Sequence, residues 1–181
     1  MSRRKVTIIP ILLRQKGNYM NTKNAEINLL TKESISESAA NILINNMQLS
    51  VTAICKLAGV SRNAFYRNFE CIDDILIYYM AMKWAEYAKI NQVENDAQDK
   101  IANHLIHFFY SEKVFVLSLK AHDLAHLVEK LFVNVIVPPQ AEGALRYTLY
   151  GASYFIYGLI RAMIDNDFSD TPEEIEKMFM K

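Results

Sequence analysis

Glycine and proline are scarce, at five and four in 181 residues. Few backbone breakers in so long a chain favour long helices over many short strands. No strand-type alternation, internal repeat or low-complexity tract is present. No run approaches the ~20 apolar residues of a membrane span. Cysteine is nearly absent: Cys55 and Cys71 stand sixteen apart without partner pairs. That spacing is neither a disulfide framework nor a zinc pattern, and a reduced, cytoplasmic compartment is expected. No nucleophile–base motif, phosphate-cradling glycine loop or catalytic carboxylate pair occurs, so neither an enzyme nor a cofactor is expected.

Half the residues are hydrophobic, at 51%, and 22% are charged, enough for a packed core. The net charge is zero, but the chain divides into halves of opposite sign. Residues 1–69 hold ten Lys/Arg against three Asp/Glu, or +7; residues 70–181 hold ten against seventeen, or −7. A basic end is what phosphates require. Five of those basic residues precede Lys23, and residues 20–69 alone carry +2.

Residues 1–19 stand apart. Arg3, Arg4 and Lys5 precede an apolar run from Val6 to Leu13, interrupted by Pro10. No small-residue cleavage site follows, as an export signal would need. Lys16-Gly17 can be encoded AAAGGA, a ribosome-binding sequence, just before Met20. The expectation is therefore a disordered or mis-assigned extension with translation starting at Met20. A basic arm touching DNA is the next alternative and an export signal the last.

From Met20 helix follows helix. The first is expected from about Ile27 to Asn45, with Ile35, Ala39, Ile42 and Leu43 inward. Asn45-Asn46 ends it, because asparagine tolerates the left-handed conformation. Ser50 caps a helix from Val51 to Leu57, and Ser61 caps another from Arg62 to Asn68. A fourth spans Asp73 to Asn91, its carboxylates suiting the positive end of the helix dipole. Helices at roughly 97–110, 112–120 and 122–136 follow, and Pro138-Pro139 makes a stop. A long helix runs from Ala141 to about Asn166. Thr171-Pro172-Glu173-Glu174 opens the last, with cap, proline and returning glutamate in place. The fold class is all-α, with a DNA-binding unit at 20–72 and a larger helical body at 73–181.

The segment from Ser50 to Phe69 carries the most information. Two short helices at a steep angle need a small residue, a glycine and an apolar residue between them, as in Ala58-Gly59-Val60. Ile54, Leu57, Val60, Phe65 and Phe69 are expected inward. That leaves Arg62, Asn63, Tyr66, Arg67 and Asn68 around the outer side and end of the second helix. Arginine grips guanine and asparagine grips adenine bidentately. Tyrosine and a helix N-terminus hold phosphate oxygens. Thr52, near the start of the first helix, can reach the backbone or a base edge. One such unit reads half a site, so specificity needs a dimer on a two-fold operator.

The block Ile35, Ala39-Ala40, Leu43, Ser50-Val51, Ile54, Ala58-Gly59-Val60-Ser61-Arg62, Phe65-Tyr66-Arg67-Asn68-Phe69 resembles the DNA-binding domain of the TetR/AcrR family of transcriptional regulators. The resemblance covers Thr31 to Leu76. The ending, Tyr157-Gly158-Leu159-Ile160-Arg161 through Ser169-Asp170-Thr171-Pro172-Glu173-Glu174, is similar to C-terminal regions there. The resemblance implies a homodimer through the last two helices, a palindromic double-stranded operator and, usually, repression. It also implies a pocket in the C-terminal body for a small effector. By position, Thr52, Arg62, Asn63, Tyr66, Arg67 and Asn68 match DNA-contacting sites. One position departs: the family carries a phosphate-binding lysine where this chain has Ile72, followed by Asp73 and Asp74. Lys56 is a candidate to compensate.

In the body, Tyr147, Tyr150, Tyr154, Tyr157 and Arg161 form one stripe of the long helix. Leu145, Leu149, Ala152, Ile156, Leu159 and Met163 form another. Two apolar faces on one helix imply cover on both sides, by its own subunit and by a partner copy or ligand. An effector pocket would lie among Trp84, Phe108, Phe109, Phe115, Leu124, Tyr147 and Tyr150, since such pockets are mostly apolar. The pairs His104/His107 and His122/His126, with Asp123 and Glu129 nearby, have chelating spacings. Histidines on helix surfaces or in satisfied core positions are the commoner outcome, so no metal is expected. Cys71 at a helix start invites a lowered thiol pKa, which Asp73 and Asp74 oppose.

The expected function is a TetR-type repressor released from its operator by a small, largely apolar effector. The effector would prefer the dimer shape whose recognition helices no longer match successive major grooves. The alternative is a helical sensor or interaction protein whose DNA-binding head has lapsed, motivated by Ile72.

Overall fold

The computed structural model describes residues 22–93, 100–136 and 141–179. Among them lie nine helices and no strand: α1 Thr22–Ile44, α2 Val51–Ala58, α3 Arg62–Asn68, α4 Ile72–Ile90, α5 Ile101–Ser111, α6 Lys113–Ala121, α7 His126–Ile136, α8 Gly143–Asp165 and α9 Pro172–Phe179. The all-α expectation holds at that level. The extension at 1–19, residues 97–99 and Pro138-Pro139 lie outside the described residues.

Local chemistry explains most helix ends. At the end of α1, Asn46 takes φ 53°, and Met47 N–H returns to the Ile42 carbonyl at 3.0 Å. That is a left-handed stop at asparagine. At the start of α9, Thr171 N–H donates to Glu174 Oε2 at 2.8 Å. Glu174 N–H donates to Thr171 Oγ1 at 3.3 Å, completing a reciprocal cap.

Two boundaries differ from expectation. α1 begins five residues earlier, at Thr22 rather than Ile27. The helix expected over 122–136 begins at His126 instead. Asp123 takes φ 59°, and Leu124 N–H bonds back to the Leu119 carbonyl at 2.8 Å, so α6 is closed by its own left-handed cap.

α1 is the shared element. It packs on α2 and α3 at one end of the chain and on α4 and α6 of the body. α7 packs between α4 and α8, and α9 packs on α5. Ile35, Ala39, Ile42 and Leu43 of α1 are buried as their spacing predicts. They belong to one continuous apolar core that runs from Ile54 and Phe65 to Phe109, Ile160 and Ile175. The small α2–α3 unit is therefore mounted on the body through buried side chains. Burying each such large side chain contributes roughly 1.5–3 kcal/mol.

Candidate nucleic-acid interface

α2, the turn after it and α3 are held by three local devices. Ser50 is extended, and its hydroxyl accepts from Ala53 N–H at 3.2 Å, starting α2. Gly59 takes φ 67°, ψ 28°, and Val60 N–H reaches the Cys55 carbonyl at 3.0 Å. Glycine suits this left-handed position because it has no Cβ to strain. Ser61 is extended, and its hydroxyl accepts from Ala64 N–H at 3.1 Å, starting α3. Ser34 of α1 adds a tether, donating to the Ala58 carbonyl at 3.3 Å.

Packing then fixes which side of α3 faces out. Phe65 is fully buried, and Phe69, its C-cap, is nearly so. The Phe69 ring meets Tyr78 of α4 edge-on at 5.5 Å. The Lys32 ammonium lies 5.9 Å from the Phe69 ring and 5.8 Å from Tyr78, and burial lowers its pKa. With Phe65 inward, 100° per residue turns Asn63 and Arg67 to the opposite side and Tyr66 to the flank. All three are exposed, as is Arg62 at the helix start. Thr52 and Lys56, one turn apart on α2, are exposed too. Lys56, Arg62 and Arg67 take part in no ion pair among the described residues. Chemically the face offers two guanidiniums, an ammonium, an amide, a phenol and a hydroxyl. These are donors suited to phosphate oxygens and base edges.

Two expectations at the residue level need correction. Leu57 is 52% exposed rather than inward. Cys55 and Ala58 take its place beside Ile54, because helical rotation puts Leu57 about 110° from the buried direction of α2. Asn68 is half-buried, and its amide donates to the Ala64 carbonyl at 2.8 Å, so it is turned toward its own helix.

At the start of α4, Ile72 packs against the core. Asp73 is engaged from α7: Lys130 Nζ lies 3.3 Å and His126 Nε2 3.9 Å from its Oδ2. This arrangement was invisible in the sequence, where 57 positions separate Asp73 from Lys130.

The residues expected around an effector are spread out. Trp84, Phe108 and Phe109 meet ring to ring, at 5.3 and 5.1 Å between successive centroids. Phe115 packs on Tyr79 at 4.7 Å, and Leu124 is half-buried against the core. Tyr147 is 81% exposed on α8, and Tyr150 is half-buried under the Arg146 guanidinium.

One of the two histidine pairs is divided between helices. His122 ends α6, with Nδ1 2.8 Å from the Ser118 carbonyl, while His126 starts α7, so they share no helical face. His107 Nε2 lies 3.1 Å from Glu176 of α9. Among the described residues no group of three or more His, Cys, Asp or Glu is placed to hold a metal ion. Cys55 is buried and Cys71 exposed, both as free thiols. No helix among the described residues is long and apolar enough to cross a membrane.

Comparison with protein-family models, curated proteins and solved structures returned no match.

Proposed function

We propose that the protein is a DNA-binding transcriptional regulator of the TetR type that acts as a homodimer in the cytoplasm and is not an enzyme. The carrying observation is the capped α2–Gly59–α3 unit. Phe65 anchors it, and Arg62, Asn63, Tyr66 and Arg67 stand exposed on its outer helix. Such a helix fits a major groove, with its N-terminal residues at base edges. Lys56 takes the phosphate-gripping role that Ile72 cannot.

A dimer through α8 and α9 is supported by the apolar side chains left in water there. Leu145, Tyr147, Tyr154, Phe155, Met178 and Phe179 are all exposed. Gly151, Ala152 and Gly158 lie exposed between them on α8, allowing close approach of a second helix. The repressor reading, with release by a small apolar effector in the aromatic-rich body, extends this proposal.

The test is a fluorescence-anisotropy titration of the full chain against DNA from its own promoter and a scrambled control, at two salt concentrations. Preference for the promoter, weakening with salt, is the expected result. Equal binding to both, together with no enrichment from a random pool, overturns the proposal in favour of a helical sensor with a lapsed head. One observation favours that second reading. From Val51 to Asp74, Lys56, Arg62 and Arg67 are matched by Glu70, Asp73 and Asp74, so the stretch around the turn carries no net charge.

A further inference from the structure

The carboxylates behind the recognition helix work against phosphate binding. Asp73 and Asp74 occupy the first turn of α4, five and six residues beyond the end of α3, and cancel the positive end of its dipole. From Val51 to Asp74, three cations stand against three carboxylates, which leaves this stretch little net attraction for DNA.

The fold supplies the missing charge from far along the chain. Lys130 Nζ lies 3.3 Å from Asp73 Oδ2, and His126 Nε2 approaches the same oxygen at 3.9 Å. Both belong to α7, one turn apart. Leu127, Val128, Leu131 and Phe132 bury the other side of that helix, which packs on α4 and α8. The one carboxylate beside Lys130 is drawn elsewhere, because Tyr154 of α8 donates to Glu129 Oε1 at 3.0 Å. α7 thus presents Lys130 to the head and its carboxylate to α8. The Lys130–Asp73 pair is exposed, with side chains 51% and 38% accessible, so it stabilises the fold little. Its consequence lies in the field seen by an approaching polyanion.

We propose that α7 is an electrostatic coupling element: Lys130, assisted by His126, masks Asp73, and the docked position of α7 sets the affinity of the head for DNA phosphates. The inference rests on the DNA-binding reading above. A shift of α7 away from α4 uncovers a negative charge beside the recognition helix without moving that helix. Because α7 also packs on α8, an event at the α8 surface can reach the head by this route.

The experiment is a double-mutant cycle on the full chain, using DNA that the wild-type protein selects from a random pool. Lys130→Met keeps the apolar stem and removes the charge; Asp73→Asn removes what it masks; Lys130→Arg checks that site 130 tolerates change. Lys130→Met is expected to weaken binding about threefold at moderate salt, through one uncovered charge within about a Debye length of the backbone. Asp73→Asn is expected to strengthen binding by a similar factor, and the charge-balanced double variant Lys130→Met/Asp73→Asn to bind as the wild type does, because the two fields add. A Lys130→Met loss that Asp73→Asn fails to offset, with a salt slope flattened by about 1 per protomer, would make Lys130 a direct phosphate contact and overturn the masking role. No loss in the wild-type background overturns it as well. Absence of any DNA binding by the wild-type chain overturns the underlying reading too.

Discussion

Salt dependence offers a quantitative test of the recognition face. The chain exposes Lys56, Arg62 and Arg67 on α2 and α3, with no ion pair engaging them among the described residues. A dimer on a two-fold site then neutralises about six phosphates, giving a slope of log K against log salt of about −5. Between about 50 and about 200 mM salt the affinity should fall about a thousandfold. Arg67→Ala removes one cation from each protomer, so the slope should flatten by about 2 and the same salt step should cost only about a hundredfold. The assay is anisotropy at four salt concentrations for the wild type and the variant, with circular dichroism to verify folding. Arg67 is exposed, and its loss leaves the Ser61 cap and Phe65 in place, so the fold should survive. A wild-type slope flatter than about −2, or a slope that Arg67→Ala leaves unchanged, refutes the assignment of this face.

Other perturbations probe the supports of that face and of the body. Phe65→Ala removes a fully buried ring and should destabilise the protein by about 3–5 kcal/mol in urea unfolding, with DNA binding lost alongside. Gly59→Ala meets no atom within 4 Å, so its cost should be backbone strain alone, about 1–2 kcal/mol, read as a lower thermal midpoint. Burial raises the Glu112 carboxyl above the usual range, against an opposing pull from Lys83. A raised acid contributes stability below its unfolded pKa and loses it as pH rises through the folded one. Glu112→Gln should therefore raise the thermal midpoint at pH 7, and the gain should vanish on acidification through the carboxylate range. Phe155, 61% exposed on α8, should hold the dimer, and Phe155→Glu should yield monomers in sedimentation velocity.

The helical character, nearly every helix and the capped turn at Gly59 are legible in the sequence because local rules cause them. Serine hydroxyls at Ser50 and Ser61 satisfy amides three residues on, and Gly59 takes the one backbone conformation the turn requires. Thr171 and Glu174 cap α9 reciprocally for the same reason. Each device lies within four residues of itself, so no distant partner can change it. The outward placing of Asn63 and Arg67 follows from Phe65 by rotation, and Arg62 is exposed because it opens the helix.

The tertiary structure decided whatever depends on meetings across the chain. Leu57 looked like core because its residue type is apolar; the face of α2 that packs on the core carries Ile54 and Cys55 and leaves Leu57 in water. His122 and His126 looked like one face, but the left-handed residue Asp123 put them on separate helices. Trp84, Phe108 and Phe109 converge while Tyr147 remains exposed, because packing against α5 and α7, rather than aromatic content, selects which rings are enclosed. Asp73 read as an isolated negative charge until α7 brought Lys130 to it. An ion pair spanning 57 residues leaves no periodicity and no motif in the sequence. Only the packing of α7 on α4 could bring the two charges together.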